Sequence, residues 1–319
     1  MYKFLLKISL FLSVYLLLPL QLTAGDEMRA ETSSFLRIHW ANDIVYQTDY
    51  YFTNGLEFAW FSNRLHNDFW SKLHFGYSAD EQRLISFSLK QDIFTPRNVN
   101  ARDIQYADRP YASYLLLANE QTVINTLQRY KRRTVLQVGV IGGLSGGEQV
   151  QNGIHELLPA SKPVGGWQYQ LATDVALSYG LHLEKAAFWS KHFRINAEVG
   201  GVLGIPYTDA SGAVSFEIGQ MPQMYGYPLL ITGSQWFYYI RSEARLEYRL
   251  YDATIQGGLF QKANPHTLNS ITAFRYIFGN SMIIGRKDFQ VEFGHRWKSP
   301  EFNGAKPHGY GYIAIQFAL

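Results

Sequence analysis

The chain has 319 residues, a formal net charge of +3, 17% charged residues, 16% aromatic residues and no cysteine. This length fits one large domain or two ordinary ones. The absence of cysteine excludes a disulfide framework and thiolate metal sites. The small net charge and the lack of a long lysine and arginine run disfavour nucleic-acid binding.

The N-terminus has the pattern of a secretory signal peptide. Two lysines precede an apolar run over residues 8–20, and the small residues Ala24 and Gly25 follow it. The alternative is an uncleaved anchor helix, but the run is shorter than the roughly 20 residues that a membrane-spanning helix needs. We therefore expect a signal peptide over residues 1–25 and a single domain over residues 26–319.

Alternating segments predict an all-β fold. In residues 236–250, aromatic and aliphatic side chains occupy one face and arginines and glutamates the other, which is a period of two. No second long apolar segment follows residue 25, which excludes a helical membrane protein but not a barrel, whose lipid face uses every second residue. We predict a transmembrane antiparallel β-barrel of about 12 strands, an even number, with both termini in the periplasm. The predicted strands are 34–42, 52–62, 82–93, 111–123, 131–141, 167–183, 190–204, 211–219, 236–250, 268–279, 286–297 and 308–318. Residues 251–262 are a further candidate strand.

A short helix is predicted in an outer loop of the barrel. Glycine pairs break the strand that precedes it, and Pro159 ends an amphipathic segment that begins at Glu148. His155 lies on this segment. A lone histidine is more often structural or solvated than catalytic, but an imidazole on an outer loop is able to accept a proton from water near neutral pH.

Polar residues gather where the first two strands meet. Asn42 and Asp43 end the first strand, and Thr53 opens the second. An aspartate next to an amide can ligate a hard cation through oxygens, whereas ordinary turn chemistry is the alternative for the same residues. Arg102 and Arg109, in the loop before the fourth strand, are candidates for contacts with lipid phosphates or for structural ion pairs.

Several motifs in a fixed order carry a family resemblance. They are Ala41-Asn42-Asp43, Tyr-Phe-Thr-Asn-Gly ending at Gly55, Gln91-Asp92-Ile93-Phe94-Thr95-Pro96, Asp108-Arg109-Pro110-Tyr111-Ala112-Ser113, Val138-Gly139-Val140-Ile141-Gly142, Gly146-Gly147-Glu148-Gln149-Val150-Gln151-Asn152 and His155. On these motifs the chain resembles, from about residue 34 to its C-terminus, the outer-membrane lipid A 3′-O-deacylases, the LpxR-like family.

The resemblance implies a twelve-stranded outer-membrane barrel with its active site between the wall and a loop helix. It further implies calcium-dependent hydrolysis of the 3′-linked acyloxyacyl ester of lipid A. By this resemblance His155 activates water, calcium stabilises the oxyanion, and the family's asparagine, aspartate and threonine fall on Asn42, Asp43 and Thr53. We assign Asp43 as the metal ligand, Asn42 and Thr53 as catalytic residues beside His155, and lipid A in the outer leaflet as the partner.

Two positions depart from the family pattern. Ser161 stands where the family has a glutamate, and Ala101, followed by Arg102, stands near a family lysine. Two alternatives to the deacylase stay open: a barrel phospholipase with a serine nucleophile, and a non-catalytic structural or pore-forming barrel. The sequence has no Gly-x-Ser-x-Gly motif, and Ser145 lies in a glycine-rich turn.

Overall fold

The structure of the protein, a computed structural model, describes residues 34–64, 70–79, 81–157, 164–222 and 235–319. In these residues, twelve antiparallel strands form one closed barrel, in which each strand pairs with its neighbours in the chain and the first pairs with the last. The predicted fold class and strand number are therefore confirmed. The predicted signal peptide lies outside the described residues. No helix among the described ranges combines the length and apolarity needed to span a bilayer.

The strands follow the chain order. They are β1 Ser34–Asn42, β2 Tyr51–Ser62, β3 Gln82–Thr95, β4 Ala112–Asn125, β5 Tyr130–Ile141, β6 Asp174–Trp189, β7 Phe193–Gly204, β8 Tyr207–Gln220, β9 Phe237–Asp252, β10 Phe274–Arg286, β11 Phe289–Lys298 and β12 His308–Ala318. The α-helices are α1 Gly147–Leu157 and α2 Ala253–Gln256, and 3-10 turns cover Asp43–Tyr46, Trp70–Leu73, Gly143–Ser145 and Trp167–Tyr169. The predicted loop helix is α1, which confirms that prediction.

Two predicted strands begin six or seven residues later than expected. Strand β6 begins at Asp174 rather than 167, because Trp167 starts a 3-10 turn in which its indole is buried beside Tyr111. Strand β10 begins at Phe274 because the preceding loop folds back, and the Leu268 amide donates to the Ile255 carbonyl at 3.0 Å. The candidate strand over 251–262 is absent from the described fold, since β9 ends there and α2 follows.

Alternate side chains of each strand face the lumen and the lipid. In β9 the lumenal Arg245 bonds Glu198 at 2.8 Å and Glu243 at 3.3 Å, while Ile240 and Leu246 on the other face are 45% and 67% exposed. An apolar outer face and a polar interior are typical of a barrel in the outer membrane. The arginines and glutamates on one face of residues 236–250 therefore form ion pairs within the lumen.

Side chains pack into the lumen near both of its ends. At the end that holds the chain termini, the rings of Phe35 and Phe61 stack at 4.7 Å and pack with further buried apolar side chains. At the opposite, outer end, Arg275 bonds Asp252 at 3.0 Å in the barrel mouth. Wide-pore conduction does not fit this arrangement.

A segment at the periplasmic side packs on the outside of the barrel. We call residues 70–79 the wall segment. Its His74 is buried and hydrogen-bonded to Asn119 of β4 and Thr134 of β5, at 2.8 Å each. Both partners face outward, because they share a strand face with the exposed Leu117 and Val138. The wall segment therefore covers polar positions that would otherwise face lipid.

Candidate active site

The end of β1 and the start of β2 are tied together by Asn42. Its side-chain Nδ2 donates to the Thr53 carbonyl at 2.8 Å, and its Oδ1 accepts from the Ile44 amide at 2.8 Å. The second bond caps the 3-10 turn that follows, so the turn chemistry considered for Asn42 is present. The hydrogen bond to the Thr53 carbonyl places these two predicted site residues, Asn42 and Thr53, side by side.

Thr53 lies at an irregularity of the sheet. The register between β2 and β3 shifts from Phe52 to Asn54, which leaves Thr53 as the extra residue of a bulge. Its hydroxyl donates to the Ile93 carbonyl at 3.4 Å, and its side chain is buried. Bulges change the direction of side chains next to active sites. Here the bulge directs the Thr53 carbonyl toward Asn42.

Asp43 is a buried carboxyl group in the outer loop. Only 2% of its surface is exposed, and its Oδ2 accepts from the Thr48 hydroxyl at 2.8 Å and the Tyr50 amide at 3.1 Å. Burial raises the pKa of Asp43 to about 8, and the nearby Asp49 carboxylate raises it further. A carboxyl group of this kind favours either a proton or a bound cation.

Helix α1 begins close against the outer wall of β4. A side chain at Gly147 would overlap Ser113 of β4, so the close approach requires glycine there. The Gln91 side chain of β3 donates to the Ser145 carbonyl at 2.6 Å in the turn before the helix. These contacts fix the helix that carries His155 on the outside of the barrel.

His155 faces a carboxylate from the first outer loop. Its Nε2 lies 3.7 Å from Asp49 Oδ2, and the two side chains are 15% and 37% exposed. Gln151, one turn earlier on α1, donates to Asp49 Oδ1 at 3.3 Å and accepts from the buried Trp167 indole at 2.9 Å. Burial raises the pKa of Asp49, and His155 opposes that shift.

Asp49 is the site residue that the sequence analysis missed. It lies in the polar stretch between β1 and β2, but nothing local distinguishes it from a loop aspartate. Its electrostatic effect on Asp43 and its contact with His155 place it between the two predicted groups. The structure thus brings Asn42, Asp43 and Thr53 together and reaches His155 through Asp49.

The two predicted arginines lie in different environments. Arg102 is exposed, and its carbonyl accepts from the Gln168 side chain at 3.4 Å, near the loop that follows α1. Arg109 is 1% exposed, bonds Glu301 at 2.9 Å and Thr254 at 2.7 Å, and stacks over Phe94. A guanidinium held in this way does not meet a phosphate at the outer wall, and only Arg102 stays a candidate phosphate contact.

Few side chains in the described residues are able to serve as ligands of the predicted calcium site. Within the described ranges, no cluster of three or more histidine, cysteine, aspartate or glutamate side chains has metal-binding geometry. Asp43 supplies a buried carboxyl group, and the Thr53 carbonyl accepts a hydrogen bond from Asn42, the residue before Asp43 in the chain. Ser161, the position of the family glutamate, lies outside the described residues.

Together, the closed twelve-stranded barrel and its apolar outer face are those of an outer-membrane barrel, with the candidate site among its outer loops. A family model described as "Outer membrane protein LpxR" matches residues 9–319, and the chain belongs to this family. It is accordingly a protein of the bacterial outer membrane.

Comparison with one solved structure, LpxR from Salmonella typhimurium, supports the same fold. LpxR from Salmonella typhimurium superposes with a TM-score of 0.72 at 19% identity, covering 89% of this chain and 99% of that one. The β domain of the Bordetella autotransporter BrkA matches with a TM-score of 0.46 at 9% identity, covering 90% of this chain and 98% of that one. No curated protein sequence matches the chain.

Proposed function

We propose that this protein is a lipid A 3′-O-deacylase that hydrolyses the 3′-linked acyloxyacyl ester in the outer leaflet. Membership of the LpxR family supports the coarser assignment, an outer-membrane enzyme that acts on lipid A. The observation that carries the finer assignment is the His155–Asp49 pair at 3.7 Å on the lipid-facing side of the wall. A site at that position meets an outer-leaflet ester without extracting the lipid from the membrane.

In the proposed reaction His155 acts as the general base. Its imidazole accepts a proton from a water molecule as the oxygen of that water attacks the ester carbonyl. The bond between the acyl carbon and the 3′ oxygen then breaks, the imidazolium returns its proton to that oxygen, and the acyloxyacyl chain leaves as a carboxylic acid. Asp49 stabilises the imidazolium that forms and holds the ring in position, as a carboxylate does beside a catalytic histidine. Gln151 in turn holds Asp49 through its 3.3 Å hydrogen bond.

Asp43 and the Thr53 carbonyl are the proposed calcium ligands. Both are oxygen donors of the kind that calcium prefers, and the raised pKa of Asp43 fits a carboxylate that requires a nearby cation to stay charged. Bound calcium would supply stabilisation of the negative charge that develops on the ester oxygen. Asn42 fixes the relative position of these two oxygens, and Arg102 is the proposed contact for a glucosamine phosphate.

The alternative of a serine nucleophile has less support. Ser145 is buried, its hydroxyl donates to the Gly142 carbonyl at 2.6 Å, and it is also hydrogen-bonded to Ser113. This serine contributes to the turn before α1, and a water nucleophile suits the site better. The alternative of a pore is disfavoured by the ion pairs in the lumen, and planar-bilayer recordings without conductance steps would agree with that.

Mass spectrometry of lipid A incubated with the purified, refolded protein tests the proposal. We expect loss of the 3′ acyloxyacyl mass with calcium and no loss with a chelator. Loss of a different acyl group would contradict the proposed position of attack, and equal activity in chelator would contradict the calcium assignment. No hydrolysis under any condition, from a folded barrel, would contradict the deacylase itself.

A further inference from the structure

Four polar side chains form a hydrogen-bonded row on the outer wall of the barrel. They belong to Ser242 of β9, Asn280 of β10, His295 of β11 and Tyr46 of the 3-10 turn after β1. The Ser242 hydroxyl donates to Asn280 Oδ1 at 2.7 Å, and Asn280 Nδ2 lies 3.3 Å from His295 Nε2. A 2.8 Å hydrogen bond joins His295 Nδ1 to the Tyr46 hydroxyl. We call these four residues the polar row.

The polar row faces the membrane and not the lumen. Asn280 is directly opposite Ser242 on one side and His295 on the other, so the three residues share one rung of the sheet. On the same strand faces, Phe278 is 49% and Phe293 is 52% exposed, as expected for side chains in contact with lipid.

Aromatic residues on both sides show how deep the polar row lies. Toward the outer end of these strands, the wall carries the exposed Tyr248 and Tyr276, with Trp297 packed against Tyr276 at 5.7 Å. Toward the periplasmic end it carries the exposed Trp236 and Phe289. Aromatic belts mark the two interfaces of a membrane barrel, and the wall between them is ordinarily apolar. The polar row therefore lies within the hydrocarbon region.

Such a position is costly for a polar side chain. Ionisable residues in a membrane-facing environment are rare, and they mark functional sites more often than structural ones. His295 is ionisable, and leucine at its position would suit the surrounding lipid better. A row of four hydrogen-bonding groups therefore implies a polar partner that comes from the lipid.

The polar row is continuous with the active site. Tyr46 ends the 3-10 turn that begins at Asp43, and its ring packs where a side chain at Gly309 of β12 would stand. The turn thus lies flat on the outer wall, with Asp43 at one end and the polar row at the other. Tyr46 of the polar row is therefore three residues from Asp43 in the chain.

We propose that the polar row is a binding subsite for the hydroxyl and ester oxygens that lie part-way along the acyl chains of a hydroxyacylated glycolipid. This inference rests on the proposed function, since an acyloxyacyl substrate carries an oxygen at that depth. Chains of ordinary glycerophospholipids have no polar group below their ester linkage. The hydroxyl, amide, imidazole and phenol of the polar row both donate and accept hydrogen bonds, which suits these oxygens.

The test measures lipid retention in chelator, so that the result does not depend on hydrolysis. Asn280→Leu/His295→Leu is compared with wild type and with Met282→Leu, an apolar control on the same face of β10. Native mass spectrometry in mild detergent counts bound lipid A and, separately, bound glycerophospholipid without hydroxyacyl chains. We expect the double variant to retain about tenfold less lipid A than wild type. Its retention of phospholipid should equal that of wild type, and the Met282→Leu control should retain both lipids as wild type does. The leucines face lipid, so the barrel stays folded.

The hydrolysis assay identifies the source of the lipid. If the oxygens belong to the substrate, the double variant raises KM with kcat unchanged, and if they belong to a neighbouring lipid, KM stays as in wild type.

Equal loss of both lipids, or wild-type retention in the double variant, would overturn the subsite. A third result would also overturn the subsite: Tyr46→Phe and the double variant both lower kcat, and both still prefer lipid A. The polar row would then only position the turn. If wild type binds lipid A selectively but never hydrolyses it, the proposed function fails and the subsite stands.

Discussion

The imidazole of His155 and the carboxylate of Asp49 lie 3.7 Å apart although they come from different outer loops, one folded as a helix and the other as an extended connection. Gln151 and the buried Trp167 hold the carboxylate side of this pair. The pair lies outside the barrel wall, and the charged lumen is a separate compartment. The proposed chemistry is thereby separated from the interior of the barrel.

The first prediction concerns this pair. His155→Ala is expected to lower kcat for deacylation by about 10²–10⁴-fold, the usual contribution of a general base. Asp49→Asn removes the charge that stabilises the imidazolium, and we expect a smaller fall, of at least about tenfold. Glu156→Gln, an exposed change beside His155 on α1, is the matched control and should keep wild-type turnover. Activity in Asp49→Asn equal to that control would contradict the role of Asp49.

The second prediction concerns phosphate recognition. Arg102→Ala is expected to raise KM for lipid A by about tenfold with little change in kcat, because the guanidinium binds substrate without touching the ester. A matched test uses lipid A from which the phosphate has been removed. The variant and wild type should then have the same KM, and a difference that persists would assign Arg102 to another contact.

The third prediction concerns the outer end of the barrel. Burial alone would raise the pKa of Glu301, but Lys298, Arg109 and Arg275 more than offset it and lower that pKa from 4.5 to about 2. A lowered carboxyl pKa adds stability above pH 4.5, and this stability is lost as the pH falls toward 2. We expect Glu301→Gln to reduce the free energy of unfolding by about 3 kcal/mol at pH 7, as for a broken buried ion pair.

Urea unfolding in detergent or liposomes measures this difference as a function of pH. The gap between wild type and Glu301→Gln should be constant above about pH 5 and close as the pH falls through the acid range. A gap that stays the same down to pH 2 would show that the loss comes from packing and not from charge.

The fourth prediction concerns the wall segment. His74→Leu leaves Asn119 and Thr134 without their shared partner on the lipid side, and we expect it to destabilise the barrel by about 2 kcal/mol. Limited proteolysis should then cut within residues 70–79, whereas Lys72→Ala, an exposed change on that segment, should not allow cutting.

A compensating variant separates hydrogen bonding from packing in this segment. Adding Asn119→Leu and Thr134→Val to His74→Leu replaces all three of these hydrogen-bonded side chains by apolar groups suited to lipid. Unfolding in urea should then return toward the wild-type midpoint. A triple variant as unstable as His74→Leu would mean that the shape of the imidazole matters more than its hydrogen bonds.

Much of the fold could be predicted from local pattern. The period-two alternation in residues 236–250 and the charges on one face of it indicate a barrel strand with a polar lumen, and β9 has that form. Errors arose where a loop resembles a strand. Residues 167–173 and 268–273 carry strand-like side chains, yet they bind other loops, because contacts across the barrel mouth outweigh their local preference.

The sequence by itself determined the barrel, the loop helix and the grouping of Asn42, Asp43 and Thr53, since these depend on side-chain periodicity and on residues close in the chain. Only the tertiary structure decided that Asp49 meets His155, that Arg109 is buried beside Glu301, and that His295 faces lipid in a row with Asn280. Alternation separates two faces but does not say which polar residue lies opposite which. Closure of the barrel and packing of its outer loops establish those distances, because they bring together segments that no local pattern relates.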